Sequence, residues 1–244
     1  MDLVSATRFE SIERLLTFAR QSGRRTLTEP ETKAILSLAG LPVSREQMVK
    51  SSRQAVSVAR EFGFPVVLKV VSPDLAHKSD AGGVHLGLES PLAVERAYHA
   101  ILASVRDAAP RATIDGVLVQ PQLAGLEVII GVTTDAQFGP VIMFGLGGTA
   151  VELLGDVAFR LVPLDEENAR SMLDEVKAAP LLSGFRGSRA VNTRSILAAL
   201  SRLSELMYRF SDVIQEIEIN PMLVTTEGAV AVDAMAVMVA GQRA

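Results

Sequence analysis

The sequence predicts an α/β or α+β fold in two lobes. Two observations predict it. Short β-branched runs of strand length recur along the chain, and amphipathic helical stretches mix with them without strict alternation. The composition agrees: 244 residues, 48% hydrophobic and 21% charged, is globular with material for a sizeable core.

Residues 8–20 read as a short amphipathic helix, followed by a linker at 21–25. Thr28 precedes Glu31 by three residues, the spacing of a capping box, and Pro30 is tolerated in a first helical turn. Ala34, Ile35 and Leu38 give that helix its apolar side, and Gly40 ends it. A helix near 51–62 leads to the run 65–71, strand-like and apolar on both faces except at Lys69. A polar, Gly-rich stretch at 72–83 separates it from a partner strand, 84–88. A helix follows from Ser90-Pro91 to about Val105, then a strand at 116–119. Strands at 126–132 and 141–144, a glycine loop at 145–148, a strand at 157–161 and helices at about 165–177 and 193–210 continue the chain. In the last helix Ile196, Leu200, Leu203, Met207 and Phe210 recur at helical spacing. Strands at 214–219 and 229–233, joined by a turn near 227–228, close it.

Several functions are excluded or disfavoured. No cysteine is present, so disulfides, thiolate metal sites and cysteine nucleophiles are absent. A net charge of −4 gives no support to nucleic-acid binding. No signal-peptide core opens the chain and no apolar run approaches the ~20 residues of a membrane span. A cytoplasmic protein is expected. Walker A spacing is missing, and Gly145-Leu-Gly-Gly148 lacks the spacing of a dinucleotide fingerprint.

Three places concentrate chemistry. Lys69 puts an ammonium in an apolar strand, costly unless an anion such as a nucleotide phosphate meets it. The alternative is an edge strand with Lys69 in water. The loop after that strand carries His77, Lys78, Gly82 and Gly83. Its glycines allow backbone N–H groups to turn toward phosphate oxygens, and His77 is a candidate nucleophile. The alternative is a solvated hairpin loop. Near the C-terminus Glu216, Glu218 and Asn220 alternate with Ile217 and Ile219 and so share a face. A turn centred on 226–227 sets Asn220 opposite Asp233; one centred on 227–228 makes them diagonal neighbours. Either way the oxygens gather as a hard cation such as Mg²⁺ requires. An ordinary amphipathic hairpin is the alternative. Glu127 interrupts another apolar strand and is placed to accept hydrogen bonds from a ribose, or else faces the surface. Glu152, Asp156 and Arg160 are expected to pair with one another.

The stretches LTEPETKAILSLAGLPV, PVVLKVVSPDLAHKSDAGGV, GLEVIIGVTTDAQFGPVIMFGLGGTAVELLGDVAFRLVPL and EIEINPMLV run in that order from about Leu27 to Val237. Together they resemble the ATP-grasp domain of NDP-forming acyl-CoA synthetases, the β part of ADP-forming acetyl-CoA synthetase. The succinyl-CoA synthetase β subunit is a more distant resemblance. The resemblance implies an ATP-grasp domain over 27–244 with nucleotide between two lobes, about 41–118 and about 119–244, after a helical extension and linker at 1–26. It implies ATP or ADP contacts at Lys33, Lys69, Lys78, Gly82 and Gly83, an adenine hinge at Val119 and Gln120, and Glu127 near the ribose. It implies Mg²⁺ ligands at Asn220 and Asp233, with Glu218 assisting through water. His77 matches a second phosphate carrier.

The implied activity is that of an acid–CoA ligase subunit. It moves phosphate reversibly between nucleotide and a phosphohistidine carried by a CoA-binding α subunit, in a hetero-oligomer. Two departures stand out. The family usually has Arg where this chain has Met235, and this chain has no CoA-binding domain. A degenerate regulatory or scaffolding domain is the rival expectation. A stand-alone carboxylate–amine ligase is a third, and the lack of a further substrate domain counts against it.

Overall fold

The computed structural model describes residues 3–75, 77–147, 155–187 and 189–240. It divides into two compact units, residues 44–123 and residues 1–43 with 124–244. The sequence reading placed the smaller lobe at about 41–118.

The smaller unit is a four-stranded antiparallel sheet in the order β2-β5-β3-β4. Its strands are β2 (Gln47–Val49), β3 (Val66–Val71), β4 (Val84–Leu88) and β5 (Gly116–Pro121). Two helices pack on it, α3 (Ser52–Phe62) and α4 (Pro91–Ala108). Both start on a serine cap: Ser51 accepts from the Gln54 N–H, and Ser90 from the Ala93 N–H. Val94, Ala97, Ile101 and Val105 recur along α4 and are buried against Val66, Leu68, Val70, Val117 and Val119. Alternation along the strands then assigns Val67, Lys69, Val71, Leu118 and Gln120 to the face turned away from α3 and α4.

The larger unit has a seven-stranded sheet in the order β1-β11-β9-β6-β7-β8, with β10 also paired to β9. Its strands are β1 (Thr26–Leu27), β6 (Leu126–Asp135), β7 (Gly139–Leu146), β8 (Val157–Leu161), β9 (Ile214–Val224), β10 (Ala229–Ala231) and β11 (Ala234–Met238). Its α-helices among the described residues are α1 (Leu3–Gln21), α2 (Glu29–Leu38), α5 (Glu166–Glu175) and α6 (Thr193–Phe210). One core joins Val128, Ile130, Ile217 and Ile219 of the sheet to Ile196, Leu200, Leu203 and Met207 of α6. Ile12, Leu16 and Ala19 of α1 are buried in that same core, so the first helix packs as part of this unit. Among the described residues no helix is long and apolar enough to cross a membrane.

The start of α2 is built as its spacing suggests. Glu31 reaches back to the Thr28 N–H at 2.8 Å, and Arg24 grips the same carboxylate with two nitrogens at 2.7 and 2.9 Å. One turn on, Lys33 Nζ donates to Glu29 Oε1 at 2.9 Å, with both side chains buried.

Two predictions follow from α2. Burial pushes the Glu31 carboxyl upward, but hydrogen bonds from Arg24 and Thr28 outweigh it and hold the pKa below its ordinary 4.5. A lowered folded pKa contributes stability above about pH 4.5, and that stability is lost as pH falls through the folded value. Glu31→Gln is expected to cost about 1 kcal/mol at pH 7, and its difference from the parent should close in acid; urea unfolding at both pH values checks this. Lys33→Met leaves the Glu29 carboxylate buried without its lysine, and the expected loss is about 3–5 kcal/mol. An unfolding midpoint equal to the parent's would remove the pair from the stability of this unit.

Candidate nucleotide and metal site

In the smaller unit Lys69 lies on β3, which is paired on both sides, opposite Leu118 of β5 and Val84 of β4. The edge-strand alternative is therefore ruled out, and Lys69 is only 4% exposed. A buried ammonium on the face away from the helices is a place for anionic charge. Gln120 shares that face, opposite Val67, and is also buried. Its Nε2 donates to Glu46 Oε2 at 2.7 Å. Val119 behaves differently. Its side chain lies in the core beneath α3 and α4, and its backbone is paired with Gln47 and Leu68. Any contribution it makes to a base is through the main chain.

The loop after β3 folds into a tight turn. Gly82 N–H donates to Ser79 O at 3.0 Å, and Gly83 N–H to Lys78 O at 2.8 Å. The two N–H groups expected to face phosphate are engaged inside the turn in this structure. The glycines serve its shape: Gly82 has φ +66°, and a Cβ on Gly83 would stand 2.5 Å from Val70 Cγ1 and 2.8 Å from Lys78 O. His77 is exposed at the start of this turn and Lys78 is half-buried. The loop is anchored from behind, where Asp74 Oδ2 accepts from the Thr113 N–H at 2.7 Å.

In the larger unit the turn centres on 226–227. Ala229 pairs with Val224, Ala231 with Met222 and Ala234 with Ile219, so Asn220 falls opposite Asp233. The Asn220 N–H donates to Asp233 O at 3.1 Å. The sequence reading ran one strand through Asp233; the structure breaks it there. Buried positions switch from Ile217 and Ile219 to Met222 and Val224 on β9, and from Ala229 and Ala231 to Ala234 and Ala236 across the break. Pro221 has no N–H to pair, and its carbonyl takes the Val232 N–H at 3.0 Å. Both chains kink at the same point. Glu218 lies opposite Met235 and opposite Gly131 of β6. Glu218, Asn220, Asp233 and Met235 therefore share the face turned away from the helices. Asn220 is exposed, and the other three are half-buried.

Two carboxylates and an amide oxygen suit Mg²⁺ in kind. Among the described residues no group of three or more His, Cys, Asp or Glu is arranged to hold a metal on its own. An ion here needs further oxygens, as Mg²⁺ with nucleotide phosphates supplies them. Glu127 is exposed at the start of β6, on the same face by alternation with buried Val128 and Ile130. Gly147 packs directly on it, its N–H donating to Glu127 O at 2.6 Å. A Cβ at 147 would lie 2.8 Å from Glu127 Cβ, so glycine is required there.

The remaining expected residues go elsewhere. Lys33 sits in the buried pair with Glu29. Asp156 accepts from the N–H groups of Lys177 and Ala178 at 2.8 and 2.9 Å, and Arg160 pairs with Glu175 at 2.7 Å, so these two do not pair with each other. Gly148 and Glu152 lie outside the described residues. Glu46 was missed by sequence reasoning. It precedes a three-residue strand with no pattern to mark it, and only the β2–β5 register brings it beside Gln120.

Residues 18–238 match the ATP-grasp domain family. The chain is 44% identical to acetate–CoA ligase [ADP-forming] II subunit beta of Pyrococcus furiosus, over 88% of this chain and 93% of that one. It superposes with TM-score 0.88 and 45% identity, over 93% and 99% of the two chains, on the dinucleotide forming acetyl-coenzyme A synthetase 1 of Ca. Korarchaeum cryptofilum in complex with coenzyme A, Ca-AMPCP and HgCl+. A second structure of that enzyme holds coenzyme A and Mg-AMPPCP with its phosphohistidine segment pointing towards the nucleotide binding site; it matches with TM-score 0.80 and 41% identity over 93% and 100%. The chain belongs to the ATP-grasp family, among the β subunits of ADP-forming acetate–CoA ligases.

Proposed function

We propose that this chain is the nucleotide-handling subunit of an acid–CoA ligase, working in the cytoplasm with a CoA-binding α subunit that carries a phosphohistidine. The observation that carries the reading is Lys69, an ammonium buried on a central strand, on the sheet face turned away from the helices, where anionic charge such as a nucleotide phosphate can meet it. The Pyrococcus and Korarchaeum relatives support it, one by its name and the other by its bound nucleotide and phosphohistidine segment.

In the ATP-forming direction an oxygen of the ADP β-phosphate attacks the phosphorus of the phosphohistidine. A P–O bond forms, the P–N bond breaks, and the imidazole leaves with the bonding pair. Lys69 and Lys78 hold and neutralise the phosphate oxygens, Gly82 and Gly83 shape the loop that presents them, and Glu127 orients the ribose. Asn220 and Asp233 would hold Mg²⁺, with Glu218 helping through water. When bound, the ion neutralises charge on the phosphates. His77 relays the phosphate as a second carrier: its imidazole first attacks the phosphorus on the partner's histidine, whose P–N bond breaks with the pair leaving on that imidazole, and the ADP oxygen then attacks the phosphorus on His77 in the same way. Lys33 supports the fold of the larger unit through its buried pair with Glu29.

The reading is tested by mixing the chain with a CoA-binding partner, acyl-CoA, phosphate and Mg-ADP and measuring ATP. No ATP from any acyl-CoA tried, with no heat of nucleotide binding in calorimetry, would sink it. Asp233→Ala is expected to abolish Mg-nucleotide binding with the far-UV spectrum unchanged; unaltered affinity removes Asp233 from the site. His77→Ala is expected to cut phosphate transfer at least tenfold, the scale on which lost nucleophiles are felt, while nucleotide affinity holds. Transfer at the parent's rate would leave His77 a loop residue.

A further inference from the structure

Lys69 and Gln120 stand on one face of the smaller sheet, one able to meet phosphate and the other set near its end. The proposed reading puts Gln120 beside the base, and the present inference rests on that. A glutamine amide has two ends, an acceptor oxygen and a donor NH₂, that differ little in shape. Left to itself it can present either end to a ligand. In this chain it is not left to itself. Gln47 pairs with Val119, and the same register carried one residue further brings Glu46 opposite Gln120. The two side chains meet at 2.7 Å, with Gln120 Nε2 donating to Glu46 Oε2. A carboxylate only accepts, so the nitrogen end must turn to Glu46 and the oxygen end away from it.

We propose that Glu46 is a specificity-determining residue that locks the Gln120 amide so that an acceptor faces the purine edge, selecting adenine over guanine nucleotides. Adenine carries an exocyclic amine, a donor, at the position where guanine carries O6, an acceptor. An acceptor on the protein matches the first and opposes the second. Opposed acceptors in a buried site leave both unsatisfied, so the discrimination is larger than a lost contact at a wet surface. Gln120 is fully buried, which places this contrast where it has most effect. Glu46 itself is half-buried and acts through the glutamine, as a positioning residue.

The test compares binding of Mg-ADP and Mg-GDP to the full chain by calorimetry. The parent is expected to prefer ADP by about tenfold or more. Glu46→Gln keeps the shape but can donate as well as accept, so the Gln120 amide is free to reverse. The ADP-over-GDP ratio should fall several-fold, chiefly by tighter GDP binding, with the unfolding temperature nearly unchanged. Glu46→Asp, a shorter carboxylate that still only accepts, should keep most of the preference. If Glu46→Gln fails to fold, Glu46→Ala, which removes the acceptor outright, is read in the same way. Equal affinities in the parent, or an unchanged ratio in the folded Gln or Ala variant, overturns the lock while leaving the nucleotide reading intact. Binding of neither nucleotide by the parent overturns that reading itself.

Discussion

In both units helices pack on one face of a sheet, and burial on that face dictates where the polar groups go. Val66, Leu68 and Val70 must meet α4, so Lys69 must point the other way. Ile217 and Ile219 must meet the larger core, so Glu218 and Asn220 must point away from it. The strand period of two permits no compromise: a slip of one residue would turn Lys69 beneath a helix and take Val66, Leu68 and Val70 away from α4. The chemistry-bearing faces are therefore consequences of the apolar faces behind them. Each apolar side chain buried on the helix side contributes on the order of 1.5–3 kcal/mol. Several such contributions together outweigh the cost of holding one ammonium out of water.

The kink between Ile219 and Met222 adds a second constraint. A lone bulge on β9 would throw β11 out of register with the core. Here Val232 and Asp233 break the partner strand at the same place, so the inward positions resume on both sides. Asn220 and Asp233 are the residues left at the break. The N–H···O contact at 3.1 Å keeps their backbones together. Bulges re-aim side chains in this way.

Much of this was legible in the sequence because it rests on local pattern. The apolar periodicities of α4 and α6 and the alternation around Glu218 mark their faces directly, and Thr28 and Glu31 announce a helix start. What stayed hidden depends on contacts between distant segments. The helical pattern of 8–20 is visible, but only packing makes α1 part of the larger core, through Ile12, Leu16 and Ala19. The Glu29–Lys33 spacing is an ordinary helix pair, and nothing local says it is buried. Glu46 and Gln120 are 74 residues apart, and no periodicity relates them. The turn at 78–83 was read as presenting free N–H groups because two glycines permit it; the carbonyls of Lys78 and Ser79 claim those groups first.

Met235 is the departure that matters most for the proposed metal face. It lies opposite Glu218, where the resemblance leads one to expect an arginine. Directly opposed residues of opposite charge in an antiparallel pair attract by about 0.2–1 kcal/mol. Replacing a cation by a thioether removes attraction of that order from Glu218 and takes one positive charge from the surface that receives phosphate. The two effects oppose each other. On the proposed reading, Glu218 and Asp233 meet the cation with no arginine at 235, which favours Mg²⁺, whereas an anionic phosphate finds one fewer positive partner. For a ligand that arrives as Mg-nucleotide the ion carries both terms, since it meets the carboxylates and the phosphates together. A methionine at this position is therefore compatible with nucleotide binding that leans more heavily on the metal.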